Sequence, residues 1–245
     1  RSVDFDGSGD YLSLANTSDL EPGSGDFTIE AWVKPAAAAT GYDYVFSNGW
    51  EQQLAWLNGT NQRFESWFRE TEGGSYVVSL TSSNNCAPRG AWSHVAVVRY
   101  GNVFTLYVNG IAESSVTHTG AIADTASDLP MIGRFGGSSG QQYPMQGQIS
   151  NFRYVKGTAV YTTSFKPPTE PLTNITNTKL LCCNNSSVTG ATVTPGTITA
   201  NGDPSSSTDT PYDTYSLGVV TGAINPGTVG AATTITFPHN APDSL

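Results

Sequence analysis

Alternation of apolar and polar residues with a period of two, broken every few residues by Gly, Asn or Ser, is the feature that most constrains this chain. In "DFTIEAWVKP", Phe27, Ile29, Ala31 and Val33 fall on one face of an extended segment, and Thr28, Glu30 and Trp32 on the other. That is the pattern of a half-buried strand. "FTLYVNGI" repeats it with Phe104, Leu106 and Val108 inward. Asn109-Gly110 then supplies a type I′ hairpin turn, whose two central residues both need positive φ. "WSHVAVVRY" is apolar on both faces and is expected inside a sheet. Further short strands are expected at 2–6, 11–14, 43–47, 63–69, 76–81, 130–134 and 147–155. No stretch keeps a helical period for three turns, so an all-β sandwich is the economical fold.

Composition narrows the function classes. The 245 residues suffice for one large β domain, or for one domain with a smaller appendage. The 26 Gly and 14 Pro suit many turns and leave little room for helices. Asp and Glu number 20 against 11 Lys and Arg, a formal charge of -9, so the basic footprint that nucleic acid requires is missing. No apolar run reaches the roughly 20 residues that cross a bilayer, and no membrane insertion is expected. Near residue 184 aromatics nearly vanish and Thr, Ser, Gly and Pro take over. The expected organisation is a domain over 1–183 and an extended Thr/Gly/Pro-rich arm over 184–245, in which "YSLGVV" and "TTITFP" are isolated strands.

Between the two parts lies "YVKGTAVYTTSFKPPTEPLTNITNTKLLCC", residues 154–183. Pro167, Pro168 and Pro171 would hold a segment crossing the rim in extended geometry without seeking ladder bonds. "KLLCC" reads as a closing strand, with Leu180 and Cys182 on one face and Leu181 and Cys183 on the other. With Cys86 these make three cysteines, too few for a disulfide framework and at no zinc spacing. They are read as structural: buried, reduced thiols in the first reading, or with at most one of Cys182 and Cys183, whose side chains point to opposite faces, meeting Cys86.

Hydrolysis of a glycosidic bond needs two carboxyl groups facing one sugar linkage. On a strand this would appear as acids at alternate positions. Glu65 and Glu70 stand five apart, Glu30 stands alone, and no Gly-x-Ser-x-Gly elbow accompanies His94, His118 or His239. His94 is therefore read as a packed, hydrogen-bonding residue, and the chain as non-enzymatic. "DFDGSGDY" sets Asp4, Asp6 and Asp10 around a Gly-rich turn. Asp6 and Asp10 are candidate calcium ligands, since calcium takes carboxylate oxygens, although Asp and Gly also suit turns with no ion present.

Aromatics carry the stronger binding argument. Trp and Tyr rings stack on the C–H faces of sugars while neighbouring amides bind the hydroxyls. "YDYVFSNGWEQQLAWLNGTNQRFESWFRE" interleaves Tyr42, Tyr44, Trp50, Trp56 and Trp67 with Asn48, Gln52, Gln53, Asn58, Asn61 and Gln62. Tyr44, Asn48, Trp50, Gln52, Trp56 and Trp67 are the candidate carbohydrate-binding residues. Trp50 is expected as an exposed platform, Trp32 and Trp92 are expected in the core, and the loop "GGSSGQQY" (136–143) is expected to border the same face.

"SVDFDGSGDYLSL", "GDFTIEAWVKP", "GAWSHVAVVRYGNVFTLYVNGIAE" and "GQISNFRYVKGTAVYTTSFKPPTEPLTNITNTKLLCC", taken in order over residues 1–183, resemble the laminin-G-like branch of the concanavalin A-like lectin/glucanase superfamily. The resemblance implies a jelly-roll sandwich of two curved antiparallel sheets, glycan binding by the concave face and edge loops, and a calcium ion in many members. The form with "FKPPTEPLTNITNTKLL" followed by "TVTPGTITANGDP" is similar to domains in structural proteins of tailed phages, especially those infecting marine cyanobacteria. This implies a virion structural protein, an appendage, fibre or decoration component at the virion surface. Its partners would be other virion proteins or copies of itself, and host-surface polysaccharide. The alternative is a stand-alone or cell-surface carbohydrate-binding module. A laminarinase-like glycoside hydrolase comes third, for want of its carboxylates.

Overall fold

The computed structural model describes residues 1–212 except 40, 58–60, 125–127 and 138–141, so Asn58 and the two tail strands expected at "YSLGVV" and "TTITFP" lie outside the described residues. Two antiparallel sheets form the compact unit Arg1–Tyr212. The strands in chain order are β1 (Ser2–Asp6), β2 (Tyr11–Ser13), β3 (Phe27–Pro35), β4 (Tyr42–Asn48), β5 (Gln52–Leu57), β6 (Arg63–Arg69), β7 (Tyr76–Thr81), β8 (Ser93–Tyr100), β9 (Val103–Val108) and β10 (Ile111–Thr117). They continue with β11 (Pro130–Ile132), β12 (Gln146–Lys156), β13 (Thr178–Cys182), β14 (Ala191–Val193), β15 (Thr199–Asn201) and β16 (Ser205–Ser207). Helix among the described residues is limited to one 3-10 turn, Ser18–Leu20, capped by the Thr17 hydroxyl.

The first sheet runs β10-β9-β8-β3-β12-β1-β16, with β13 and β14 continuing beside β12. The second runs β15-β2-β11-β4-β5-β6-β7. Their facing sides close one apolar core that includes Phe27, Phe46, Trp56, Phe68, Phe104, Phe152 and Tyr154. β8 is buried at every residue from Ser93 to Arg99 between β3 and β9, as its two apolar faces require. Asn109 and Gly110, at φ 49° and 78°, make the expected β9–β10 turn. A bulge at Asn151, φ 53°, lets β12 pair β1 before it and β13 after it while staying on β3 throughout.

The outer face of the first sheet departs from the sequence reading. Thr28 and Glu30 are as buried as the core face of β3, because residues 157–175 cross that face as a strap rather than turning over the rim. Thr28 Oγ1 donates to Thr158 O at 3.1 Å and accepts from Val160 N at 2.9 Å. Phe165 N donates to Gly110 O at 2.8 Å, and Leu172 N to Asn151 Oδ1 at 2.9 Å. Tyr161 and Phe165 stack at 3.6 Å over Ala96, Val98 and Tyr107. Beneath the strap, Glu30 Oε1 accepts from Arg153 Nε at 2.8 Å and Nη2 at 2.6 Å. Its Oε2 accepts from Tyr161 OH at 2.8 Å and sits 3.1 Å from His94 Nε2. Glu30, alone in the sequence, is thus the centre of a buried ionic cluster, with His94 packed and hydrogen-bonded in it. A carboxylate there requires such partners, since burial without them is costly.

Three local expectations are corrected. Cys182 and Cys183 both enter the core, with their sulfurs 3.7 Å apart, because Cys183 at φ 59° leaves strand geometry and breaks the alternation. All three cysteines are free thiols, and Cys86 is half-buried. Trp32 lies on the outer face of the first sheet against His94 and Tyr212, and Trp92 donates to Asp209 Oδ1 at 3.1 Å, so the tryptophan of the core is Trp56. Beyond residue 183, where an extended arm is expected, β14, β15 and β16 form and pair with β13, β2 and β1 respectively. Ile198 joins the core, and the compact unit extends to Tyr212 rather than to 183. Short Thr/Ser strands with little charge fit sheet edges as readily as they fit a linker, which is why composition alone placed the boundary early.

Candidate functional site

Strands β4, β5 and β6 lie side by side, and alternation decides what each shows to the outside of the second sheet. On β5, Gln52, Leu54 and Trp56 point inward and Gln53 and Ala55 outward. On β6, Phe64, Ser66 and Phe68 are inward and Arg63, Glu65, Trp67 and Arg69 outward. A bulge in β4 between Tyr44 and Phe46 sends both Val45 and Phe46 into the core and leaves Tyr44 outside. Residues 133–137 and 142–145 lie over this face. Gly136 N donates to Ser47 Oγ at 2.8 Å, Phe135 N to Gln142 O at 2.9 Å and Tyr44 N to Tyr143 O at 3.3 Å.

The result is an open cavity of about 280 Å³ lined by Tyr42, Tyr44, Trp50, Gln53, Trp67, Tyr76, Phe135 and Tyr143. Trp50 meets Phe135 edge-on at 4.6 Å, Tyr44 stacks with Tyr143 at 5.7 Å, and Trp67 is 6.3 Å from both Tyr42 and Tyr76. Gln53 ties the walls together. Its Oε1 accepts from Tyr44 OH at 2.8 Å, and its Nε2 donates to Tyr76 OH and to Trp50 O, each at 2.8 Å. Burial, and then the charge of neighbouring phenols and of Glu65, pushes the Tyr44 hydroxyl well above the ordinary tyrosine range, so it remains a neutral donor. Glu65 is itself tied to Arg63, and the residues lining the cavity include no carboxylate.

Of the six carbohydrate-binding candidates, the structure brings Tyr44, Trp50 and Trp67 together in this cavity. Trp50 is half-buried against Phe135 rather than a free platform. Trp56, Asn48 and Gln52 face the other way. Trp56 is fully buried with Nε1 donating to Ala87 O at 2.9 Å. Asn48 Nδ2 and Gln52 Nε2 donate to Leu20 O at 3.4 and 3.0 Å, and Gln52 Oε1 accepts from Tyr154 OH at 3.0 Å. These buried amides hold the Ser18–Leu20 turn on the sheet. The parity of β5 accounts for the misplacement, since a shift of one residue exchanges Gln52 for Gln53. The sequence reading missed Tyr76 and Phe135. Tyr143 was covered through its loop, of which 138–141 lie outside the described residues.

At the other candidate, Asp6 and Asp10 come together as expected and Asp203 joins them, with one carboxylate oxygen from each within 4.8 Å of the others. They border an open cavity of about 310 Å³ that Asp4, Gln146 and Ser205 also line. Asp10 is buried, and its Oδ2 accepts from Asp6 N at 3.1 Å and its Oδ1 from Asp203 N at 2.8 Å. Burial, then the charge of Asp10 and Asp209, raises the Asp4 carboxyl. Three hard oxygen donors in an electronegative cavity fit a calcium ion in donor chemistry. Asp203 lies 193 residues from Asp10, beyond the reach of any local motif.

No curated protein sequence matches the chain. Among solved structures, a Bacteroides ovatus protein whose name proposes carbohydrate binding superposes with a TM-score of 0.61 at 16% identity, over 83% of this chain and 58% of that one. The chain therefore spans less than two thirds of that structure's length. The sialyllactose-bound CBM40 of Ruminococcus gnavus IT-sialidase gives 0.48 at 13% identity, covering 66% of this chain and 94% of that one. Domains LG4-5 of the mouse laminin alpha1 chain give 0.48 at 13% identity, covering 66% and 44%. At such identities likeness speaks for the fold alone. The Laminin G 3 family model, described as concanavalin A-like lectin/glucanases superfamily, matches residues 6–160, more than half of the sequence and most of both sheets. With its two-sheet jelly-roll architecture, the chain belongs to the concanavalin A-like lectin/glucanase superfamily, in its laminin-G-like branch.

Proposed function

We propose that this protein is a non-enzymatic glycan-binding domain whose site is the aromatic cavity on the outer face of β4, β5 and β6. The observation that carries this reading is the lining: seven aromatic rings converge with one amide, Gln53, already held by three hydrogen bonds. Rings give sugar C–H faces a stacking surface, phenol and indole edges bind hydroxyls, and a prearranged wall loses little entropy on binding. The cavity is near the small end of ligand sites, the size of a short saccharide unit. A pyranose face covering about 80 Å² of the Trp67 indole would contribute about 2 kcal/mol, or roughly 30-fold in affinity. An array of host-surface polysaccharides and their oligosaccharides, read with the native protein and with Trp67→Ala, tests the reading. Binding weakened by about that factor in the variant supports it, and absence of binding by the native protein refutes it.

Asp6, Asp10 and Asp203 would hold a calcium ion, joining the N-terminal turn to the chain just before β16. Display on a virion is the finer part of the proposal and rests on the resemblance of residues 165–181 and 192–204 to phage structural proteins. Partners would be other virion proteins or further copies of the chain. The opposing reading is an extracellular or cell-surface carbohydrate-binding module. Purified particles decide between them: the protein sediments with the particle in the first case and runs free of it in the second. Among the described residues no helix is long and apolar enough to cross a membrane.

A further inference from the structure

We propose that the aromatic cavity takes an acidic sugar, a pyranose bearing a carboxylate, and that Arg69 reads the carboxylate; this rests on the glycan-binding reading above. Arg69 follows Trp67 by two residues on the same outward row of β6. Its guanidinium carbon lies 4.9 Å from the ring centroid of Trp50 and 4.5 Å from that of Tyr76, and both rings are walls of the cavity. Arg69 is not itself among the lining residues, but its charge is held against two rings that are.

Among the described residues four basic groups pair with carboxylates, Arg63 with Glu65, Arg153 with Glu30, Lys34 with Asp209 and Lys179 with Asp19, whereas Arg69, like Arg89, Arg99 and Arg134, does not. Of these, Arg69 is the one that lies against walls of the aromatic cavity. Among the described residues no carboxylate pairs with Arg69, and its Nε is buried without an acceptor. Glu51 is the acid that acts on it through space, and that carboxyl is buried and also bonded to its own backbone. A guanidinium presents its N–H groups in a planar fork that matches a carboxylate, and pairing is strong where water is excluded. A cationic ligand such as a quaternary ammonium, which aromatic boxes otherwise suit, meets a positive charge already lying on two of the rings. The formal charge of -9 also gives an anionic glycan no general attraction, so preference for acidic sugars has to come from a local contact.

The test uses hexuronic acid oligosaccharides, the same oligosaccharides after chemical reduction of their carboxyl groups to alcohols, and sulfated galactan oligosaccharides. Calorimetric titration is run with the native protein, Arg69→Met, Arg69→Lys and Trp67→Ala. Methionine keeps an apolar stem over Trp50 and Tyr76, and near-ultraviolet circular dichroism verifies that the aromatic walls stay in place. The native protein is expected to bind the hexuronate at least 10-fold more tightly than its reduced form. Arg69→Met should bring that ratio within two-fold, and Arg69→Lys, which keeps charge but loses the fork, should fall between. Equal affinity of the native protein for acidic and reduced sugars, a ratio unmoved by Arg69→Met, or preference for the sulfated sugar overturns the assignment of Arg69 while leaving the glycan site standing. Binding that Trp67→Ala does not weaken refutes the cavity itself.

Discussion

Replacing Glu30 by Gln tests whether the strap is held by the cluster beneath it. The Glu30 carboxylate is fully buried and accepts two charge-assisted hydrogen bonds from Arg153, one from Tyr161 and a contact from His94. Glutamine is nearly isosteric but neutral, with one acceptor oxygen in place of two. Arg153 then keeps a buried charge with no counter-charge, and the donor NH₂ of Gln faces donors. Removing one partner of a buried pair costs about 3–5 kcal/mol. For a domain of this size that lowers the melting temperature by about 6–20 °C, at 2–4 °C per kcal/mol. Burial alone would raise the Glu30 carboxyl, yet hydrogen bonding and charge from His94, the charge of Arg153 and the Tyr161 hydroxyl together hold it below its usual 4.5. A depressed carboxyl contributes stability that is fully present above the unfolded value and is lost as pH falls through the folded one. Urea unfolding from pH 7 to pH 3 should therefore show native stability declining below about pH 4.5, and Glu30→Gln should lack that part of the decline. Glu30→Leu combined with Arg153→Met should cost less than the two single changes added together, because no charge is left alone. A Glu30→Gln protein that loses under about 1 kcal/mol would show that the cluster is not what holds the strap, and the reasoning from its geometry would fail.

Gly110 has φ 78°, and a Cβ there would overlap the carbonyl of Phe165 in the strap. Gly110→Ala should cost at least the 1–2 kcal/mol of a left-handed residue and speed hydrogen exchange at the Phe165 amide, whose acceptor is Gly110 O; unchanged exchange would contradict this. Asp43 is pushed up to about 7 by burial, against the pull of the Gln146 amide and the charge of Arg89, and its Oδ2 has no hydrogen-bond partner among the described residues. A raised carboxyl means that the folded state holds the proton more tightly, so between about pH 4 and pH 7 this group makes stability fall as pH rises. Asp43→Asn should remove that slope, and a stability–pH curve of unchanged shape would show that Asp43 does not cause it. Calcium at about 100 times its dissociation constant should stabilise the native protein by about 2.7 kcal/mol, roughly 5–10 °C. Asp203→Asn should abolish the gain, and a melting temperature indifferent to calcium would dismiss the site.

The elements legible in the sequence are those whose local pattern has one solution. β1, β3, β6, β7, β8, β9, β12 and β13 follow from alternation and from β-branched or aromatic runs, and the β9–β10 turn follows from Asn-Gly. β5 was hidden because "QQLAWL" alternates amide with apolar residues and gives no sign of which amide is inside. Gln52 and Gln53 are chemically the same, and the register against β4 and β6 chooses between them. Tyr76 and Phe135 come from segments that sequence distance separates from Trp50. No pattern within one segment could group them.

Sequence by itself thus determined the sandwich, its family, the aromatic supply for a binding face and the acidic turn at Asp6 and Asp10, because each depends on spacing within a single strand or loop. Tertiary structure alone decided which three of six candidates share a cavity, that Asp203 meets Asp10, that a proline-bearing strap buries Glu30 against Arg153, and that Arg69 lies against two rings of the cavity wall. All of these are cross-strand or cross-loop relations. They depend on register, bulges and long-range closure, which a period of two leaves open until the sheets are assembled.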